Sequence, residues 1–312
     1  MTHRVRTVFL GSGGFGRESL RRLDGHDAVR LVGVVTAPPR AAGRKQQLTS
    51  TVIDAAAGEL GIATILRPER LRSADAVAAV IALNPELLVL ADYGQIVPPA
   101  LLEVRHGALN LHPSLLPRHR GATPIPAAIL AGDREAGVSL MRMDAGLDTG
   151  PLVAQERVVL KGTETTPLLE ATLALVADRL LESNLRAWLA GDIEARPQPT
   201  DGATLTRPLR REDGRLDPTR PAVDLERQVR AYQPWPGSFV DTDTGRLTIW
   251  SASPGAGDGP GLGIFDEQGL GVGDGERLWL IEVQPAGGRR MPWEAFLRGR
   301  PAIVGSPVVP GS

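Results

Sequence analysis

Short apolar runs alternate with helical patterns through the first half of the chain. The runs predict buried strands, and apolar residues that recur every three or four positions between them predict helices. The predicted strands cover residues 5–10, 29–35, 87–90 and 107–111, and the predicted helices cover residues 17–23, 50–60, 74–83 and 165–189. Because strands that alternate with helices build βαβ units, the pattern predicts a Rossmann-like α/β domain with a mostly parallel sheet over residues 1–191.

The pattern changes after the longest predicted helix. Residues 194–202 are polar and rich in proline, which is typical of a linker, and we place this linker at residues 192–206. One short helix is predicted at residues 222–232, and short strands between glycine-rich turns are predicted at 246–250, 261–265, 269–272 and 278–283. Evenly spaced strands without alternating helices predict a small C-terminal β-barrel (OB-like) domain over residues 207–312.

Composition narrows the class of protein. A length of 312 residues fits two domains. The absence of cysteine excludes a disulfide scaffold, a thiolate-bound metal and a cysteine nucleophile. The net charge of −1 gives no global positive field for a polyanion, although a local basic patch remains open. No apolar run approaches the roughly 18 residues of a membrane span, and the N-terminus does not resemble a signal peptide, so we expect a cytoplasmic protein with no membrane partner.

A glycine-rich segment follows the first predicted strand. Gly11-Ser-Gly-Gly-Phe-Gly16 matches the dinucleotide-binding fingerprint, which also requires an acidic residue about 20 positions later, at the end of the second strand. The second strand here is followed by Thr36-Ala-Pro-Pro39, without a carboxylate. A tight strand-to-helix turn explains the glycines equally well. We therefore expect no NAD, and a nicotinamide-dependent oxidoreductase is the least favoured alternative.

The residues after the fourth predicted strand form the most specific candidate site. Asn110 and His112 alternate along one extended segment, so their side chains point to the same face, at a strand end where α/β sheets bind ligands. An amide, an imidazole and the later carboxylate of Asp148 suit acyl transfer without a covalent intermediate. Asn110 can donate to an oxyanion, and His112 can donate to it or move a proton. We expect an ionised Asp148 to orient His112, raise its pKa and keep it protonated.

Two other interpretations of this segment are weaker. Ser114 lies two residues after His112 but lacks the glycine-flanked elbow of hydrolase nucleophiles. His106, His112 and His119 are spaced six and seven residues apart, which suits no common metal site. We therefore expect neither a serine nucleophile nor a bound metal.

The motif as a whole resembles one enzyme family. Asn110-x-His-x-Ser-Leu-Leu-Pro-x-x-Arg-Gly121, with the later Met143-Asp-x-Gly-Leu-Asp-Thr-Gly150, is similar to the folate-dependent formyltransferases. The resemblance implies a Rossmann-like domain without a nucleotide, 10-formyltetrahydrofolate as co-substrate, and a catalytic trio of Asn110, His112 and Asp148. It also implies a folate site, which comprises Ser114, Leu115, Leu116 and Pro117 and, from the loop after the third predicted strand, Tyr93, Gly94, Gln95 and Ile96.

The rest of the chain resembles one branch of this family. Residues 207–217, 227–238 and 283–291 are similar to the C-terminal domain of members that formylate methionine carried on initiator tRNA, and residues 39–45 resemble a loop that grips the acceptor end. The implied tRNA contacts are Arg44, Lys45, Arg207 and Arg210. The implied function is formyl transfer from 10-formyltetrahydrofolate to the α-amino group of methionine on initiator tRNA, for translation initiation. We expect the protein to be a monomer. The alternatives are a formyltransferase for an amino sugar nucleotide and a non-catalytic RNA-binding protein.

Overall fold

The structure is a computed structural model that describes residues 3–42, 47–255, 257, 259–273 and 275–309. The chain divides into two compact units. The first unit contains Met1–Pro124, Glu135–Val159 and Glu170–Arg207, and the second contains Ile125–Arg134, Leu160–Leu169 and Pro208–Ser312. The segment predicted as a linker, residues 192–206, is thus part of the first unit.

Strands and helices follow one another closely along the whole chain. The strands are β1 (Val5–Gly11), β2 (Val29–Val35), β3 (Arg40–Ala42), β4 (Gln47–Thr49), β5 (Ile65–Leu66), β6 (Leu87–Ala91), β7 (Ala108–His112), β8 (Arg120–Gly121), β9 (Glu135–Arg142), β10 (Leu152–Val159), β11 (Leu205–Thr206), β12 (Ser238–Thr242), β13 (Gly245–Gly255), β14 (Gly269–Gly271), β15 (Arg277–Pro285) and β16 (Met291–Pro292). The helices are α1 (Arg17–Gly25), α2 (Val52–Glu59), α3 (Ala74–Ala82), α4 (Pro99–Leu102), α5 (Pro124–Ala131), α6 (Thr166–Ala190), α7 (Ala222–Ala231) and α8 (Trp293–Gly299).

A seven-stranded sheet in the order β10-β9-β7-β6-β1-β2-β5 forms the centre of the first unit. The strands from β7 to β5 pair in parallel, and β9 and β10 join one edge antiparallel. The apolar runs explain the order, since all five residues of β6 are buried and β6 lies between β1 and β7. The predicted α/β domain is confirmed. The pattern missed β9 and β10, of which β10 alternates exposed and half-buried positions.

The parallel strands carry their carboxyl ends to one edge of the sheet. Leu90 of β6 pairs with Asn110 of β7, and Ala91 pairs with Leu111, so the loops that follow β6 and β7 leave the sheet side by side. This is the edge at which parallel sheets bind ligands.

The glycine-rich loop after β1 is explained by packing. A side-chain carbon at Gly11 would overlap the Phe9 ring and the Ala91 carbonyl oxygen, and one at Gly16 would crowd the same carbonyl oxygen. At Gly13 it would overlap the Asp92 carboxylate. The glycines therefore let the backbone pass close to β6, and a carboxylate lies where a dinucleotide site would need to accept phosphate.

The second unit is built on a five-stranded antiparallel sheet. Its order is β12-β13-β15-β14, and β16 pairs with Glu282 and Val283 of β15. Its core stacks Trp293 between Phe265 and Phe296, with ring centroids 6.0 Å and 5.3 Å apart. The predicted small C-terminal β domain is confirmed as an antiparallel sheet, and the helix predicted at residues 222–232 is present as α7. The strand predicted at residues 261–265 is wrong: Gly261 and Gly263 have φ of +105° and +71°, which breaks the extended backbone into turns with single bridges. None of the helices described here is long and apolar enough to cross a membrane.

Candidate active site

Asn110 and His112 lie at the carboxyl end of β7, between the parallel strand β6 and the antiparallel strand β9. Their alternation places both side chains on one face of the sheet. His112 is only 4% exposed, whereas Asn110 is half-buried. The strand therefore keeps the His112 imidazole away from water and leaves the Asn110 amide closer to the surface.

The imidazole of His112 is anchored on one side by a backbone carbonyl. Its Nε2 lies 2.9 Å from the carbonyl oxygen of His119, and because a carbonyl can only accept, Nε2 carries the proton. His119 itself adopts a left-handed backbone conformation with φ of +56°, and its N–H donates to the hydroxyl of Thr204 at 2.8 Å. In the neutral ring the lone pair is therefore on Nδ1.

Asp148 faces this free nitrogen. Its Oδ2 is 3.8 Å from Nδ1 of His112, close enough for a strong charge interaction but too far for a hydrogen bond. The same oxygen accepts a hydrogen bond of 2.8 Å from the N–H of Gly121. The structure thus brings His112 and Asp148 together, as the sequence predicted, with Asn110 on the same strand as His112.

Burial decides the charge of His112 in the free protein. Removal of the ring from water lowers its pKa below the ordinary value of 6.5, and the nearby Asp148 carboxylate, which raises it, does not compensate. The expectation that Asp148 keeps His112 protonated is therefore wrong for the resting protein, because one carboxylate without a hydrogen bond does not offset nearly complete burial. His112 rests neutral at pH 7.

The predicted folate residues after His112 form a closely tied loop. The Ser114 hydroxyl donates to the Arg118 carbonyl oxygen at 2.6 Å, Leu116 and Pro117 are buried, and Leu115 packs against Gly137. The fully buried Ser139 hydroxyl donates to the Ser114 carbonyl oxygen at 2.6 Å and accepts from the Leu116 N–H at 3.0 Å. Most of the loop's polar groups thus form hydrogen bonds that fix the loop's own conformation. The loop is therefore a rigid wall beside His112.

The predicted folate residues after β6 are more open. Ile96 is 78% exposed and Gly94 is exposed. The Gln95 amide ties this loop to its neighbour, accepting from the Leu71 N–H at 2.7 Å and donating to the Pro68 carbonyl oxygen at 3.1 Å. The Tyr93 hydroxyl is buried without a partner among the described residues, and burial raises its pKa to about 12. It therefore remains a neutral donor at pH 7.

The predicted tRNA contacts are placed only in part. Arg44 and Lys45 lie outside the described residues. Arg207 is exposed at the end of the first unit, where its carbonyl oxygen accepts from the Thr123 hydroxyl, and Arg210 is exposed in the second unit.

Three other arginines of the second unit form ion pairs with carboxylates of the same unit. Arg215 pairs with Asp241 at 2.6 Å, and Arg220 pairs with Asp224 at 3.4 Å. Arg290 pairs with Glu282 at 2.5 Å. These three side chains therefore offer less positive charge to RNA than unpaired arginines would.

Sequence reasoning missed the residues that support the site from behind. Residues 198–206, which we call the strap, lie within the predicted linker, yet its end β11 pairs in parallel with β8. The Gln198 amide of the strap donates to the Asp148 carbonyl oxygen, and the Thr204 hydroxyl of the strap accepts from the His119 N–H. A proline-rich segment gave no signal of this role, because these bonds depend on tertiary placement. Among the residues that the structure describes, no cluster of three or more His, Cys, Asp or Glu side chains could hold a metal.

Comparison with known proteins identifies the class. The models of the families Formyl transferase and Formyl transferase, C-terminal domain match residues 5–185 and 208–301. The chain therefore belongs to the formyl transferase family and is a formyl-transferring enzyme. A methionyl-tRNA formyltransferase of Gluconacetobacter diazotrophicus is 44% identical over 308 residues, which cover 97% of this chain and 99% of that protein.

Solved structures share the fold at low identity. HypX of Aquifex aeolicus, in complex with tetrahydrofolic acid, has a TM-score of 0.62 and 17% identity over 95% of this chain, which spans 47% of HypX, about half its length. An N-formyltransferase of Helicobacter canadensis, in complex with folinic acid and dTDP-3-aminofucose, has a TM-score of 0.63 and 15% identity over 88% of this chain and 98% of its own. At these identities the likeness extends to the fold alone.

Proposed function

We propose that this enzyme transfers the formyl group of 10-formyltetrahydrofolate to the α-amino group of methionine on initiator tRNA. The observation that carries the proposal is the pair of buried His112 and half-buried Asp148, 3.8 Å apart, with Asn110 beside His112 at the carboxyl end of β7. Near-complete coverage of a methionyl-tRNA formyltransferase at 44% identity supports this acceptor over the others. The amino sugar nucleotide acceptor is supported only by structures of far lower identity.

The three residues divide the chemistry between them. Asn110 donates its amide hydrogen to the formyl oxygen, on which negative charge develops as the methionine nitrogen bonds to the formyl carbon. Neutral His112 accepts the proton that this nitrogen releases, at Nδ1, directly or through one water. The imidazolium so formed lies beside Asp148, whose charge stabilises it. His112 then returns the proton to N10 as the bond between N10 and the formyl carbon breaks, which releases tetrahydrofolate.

The loops beside the trio suit a folate co-substrate. The rigid loop of Ser114, Leu115, Leu116 and Pro117 forms one wall, and the loop of Tyr93, Gly94, Gln95 and Ile96 leaves the neighbouring strand at the same sheet edge. Exposed Ile96 offers an apolar surface, and the neutral Tyr93 hydroxyl is a free donor within the described part of the chain. We assign these residues to folate binding, with Gln95 acting through the loop it ties.

The tRNA contacts form a separate part of the proposal. We assign Arg44 and Lys45 to the acceptor end, and Arg207 and Arg210 to the RNA backbone, since a planar guanidinium holds phosphate in two places or stacks on an unpaired base. Arg44→Ala should raise the KM for initiator tRNA and leave the KM for the folate unchanged. Arg44→Lys should rescue only partly, because an ammonium group lacks the planar fork. Equal losses toward both substrates would contradict this assignment.

The decisive experiment compares acceptors at one concentration of 10-formyltetrahydrofolate. The enzyme is incubated with methionine on initiator tRNA, with methionine on an elongator tRNA, and with an amino sugar nucleotide. We expect formylation of the first to dominate. Preferred turnover of the sugar nucleotide would overturn the assignment of methionine on initiator tRNA as the acceptor. No turnover of any acceptor would favour a non-catalytic RNA-binding protein. His112→Ala serves as the control that assigns the turnover to this site.

A further inference from the structure

The strap presents one glutamine to the loop that carries Asp148. The side-chain amide nitrogen of Gln198 donates to two backbone carbonyl oxygens, those of Asp148 and Gly150, each at 2.8 Å. Its oxygen accepts from two guanidinium nitrogens of Arg120, at 3.1 Å and 2.7 Å. Since Arg120 can only donate, this contact fixes which end of the amide faces the Asp148 loop. Every hydrogen of the amide group is thus used.

Asp148 needs such support because of its backbone. Its φ of +51° lies in the left-handed region that side chains disfavour, and the loop around it is exposed from Asp144 to Leu147. Arg120 and Gly121 form β8, so Gln198 grips the residue adjacent to the N–H that binds the Asp148 carboxylate. One side chain therefore links both backbone segments that place this carboxylate.

We propose that Gln198 is a positioning residue that holds the Asp148 carboxylate at its distance from His112. The inference rests on the proposed function, because it assigns Gln198 to the same reaction. Gln198 touches neither the imidazole nor the reacting atoms. It acts through the Asp148 loop and through its contact with Arg120, and it stabilises the left-handed conformation of Asp148.

Three variants separate the contributions of this side chain. Gln198→Ala removes all four hydrogen bonds, whereas Gln198→Glu keeps an acceptor for Arg120 and loses both donors to the Asp148 loop. Thr200→Ala is the matched control, since Thr200 is an exposed strap residue two positions away. We expect both Gln198 variants to lose about 10- to 100-fold in kcat with little change in either KM, and the control to match wild type. Should Gln198→Ala fail to fold, the kcat of Gln198→Glu alone tests whether Gln198 positions Asp148.

A double variant distinguishes positioning from a general structural role. If Gln198 acts only through Asp148, then Gln198→Ala added to Asp148→Asn should cost less than about twofold beyond Asp148→Asn alone. A purely structural role predicts that the two losses multiply. Multiplied losses would overturn the proposal.

A second readout needs no substrate. The titratable groups that act on His112 are Asp148 and His119. Loosening Asp148 removes the charge that raises the His112 pKa, so NMR titration of the imidazole should show a lower midpoint in both Gln198 variants than in wild type or Thr200→Ala. An unchanged midpoint would overturn the positioning role. If wild type does not formylate initiator tRNA, the proposed function fails, yet this titration still decides the role of Gln198.

Discussion

Two loops bring polar groups to the same site, and they are built differently. The His loop, residues 113–119, follows β7 and is mostly buried, with Leu116 only 3% exposed. The Asp loop, residues 144–150, is mostly exposed, with Leu147 at 60%. The first is held by packing and by the buried Ser139 hydroxyl, and the second by a few polar bonds from Gln198 and between Asp144 and Thr149. Changes in the first should therefore cost stability, and changes in the second should cost catalysis.

The largest effect is expected at His112, the residue that immediately precedes the His loop. His112→Ala should lower kcat by roughly 1000-fold, because the group that moves the proton is lost. Binding of a folate analogue, followed by fluorescence, should be nearly unchanged. A variant that keeps kcat within a few-fold of wild type would remove His112 from the mechanism.

A matched pair of leucines tests the contrast in packing. Leu116→Ala should lower the free energy of unfolding by about 3 kcal/mol, since it leaves a cavity in the buried His loop. Leu147→Ala should change it by less than about 0.5 kcal/mol, because that side chain faces solvent. Urea unfolding of the two variants measures both. Equal losses would show that the Asp loop is also held by packing.

Removal of one charge tests the Asp loop. Asp148→Asn should lower kcat by about 100-fold with little loss of stability, because the imidazolium formed in the reaction loses its stabilising carboxylate. Asp148 raises the His112 pKa, so its loss should lower that pKa further. The acidic limb of the kcat profile, where His112 becomes protonated and inactive as a base, should move to lower pH. A limb that stays in place would refute this coupling.

The smallest effect is expected in the polar support of the His loop. Ser139→Ala leaves the buried Leu116 N–H without its acceptor, which should cost about 1–2 kcal/mol of unfolding free energy. The KM for the folate should rise as the loop loosens, with kcat nearly constant. Thr200→Ala, on the exposed strap, is the control for both measurements. A fall in kcat larger than the rise in KM would show that this loop also positions His112.

The sequence predicts the parts of the site that depend on local pattern. The alternation of Asn110 and His112 on a strand followed from apolar periodicity, and their position at the edge of the sheet followed from the parallel order. The core strands β1, β2, β6 and β7 were found for the same reason. These features depend on only a few consecutive residues and can therefore be predicted from the local sequence.

Other parts depend on tertiary placement, and the pattern missed them. Gln198 lies among prolines that are typical of a linker, and its partners Arg120 and Asp148 are far away in sequence. The resting charge of His112 depends on how deeply β7 is buried, which the proximity of an aspartate in the motif does not reveal. Gly261 and Gly263 interrupt an apolar run that otherwise has strand composition.

The central claim is that burial keeps His112 neutral until the reaction delivers a proton. The most direct measurement is the NMR titration of its imidazole in the free enzyme, assigned among the five histidines by comparison with His112→Ala. We expect a midpoint below the ordinary value of 6.5, with the proton of the neutral ring on Nε2. A midpoint above that value would mean that His112 is already an imidazolium near neutral pH, and that it donates to the oxyanion instead of accepting the proton of the amine.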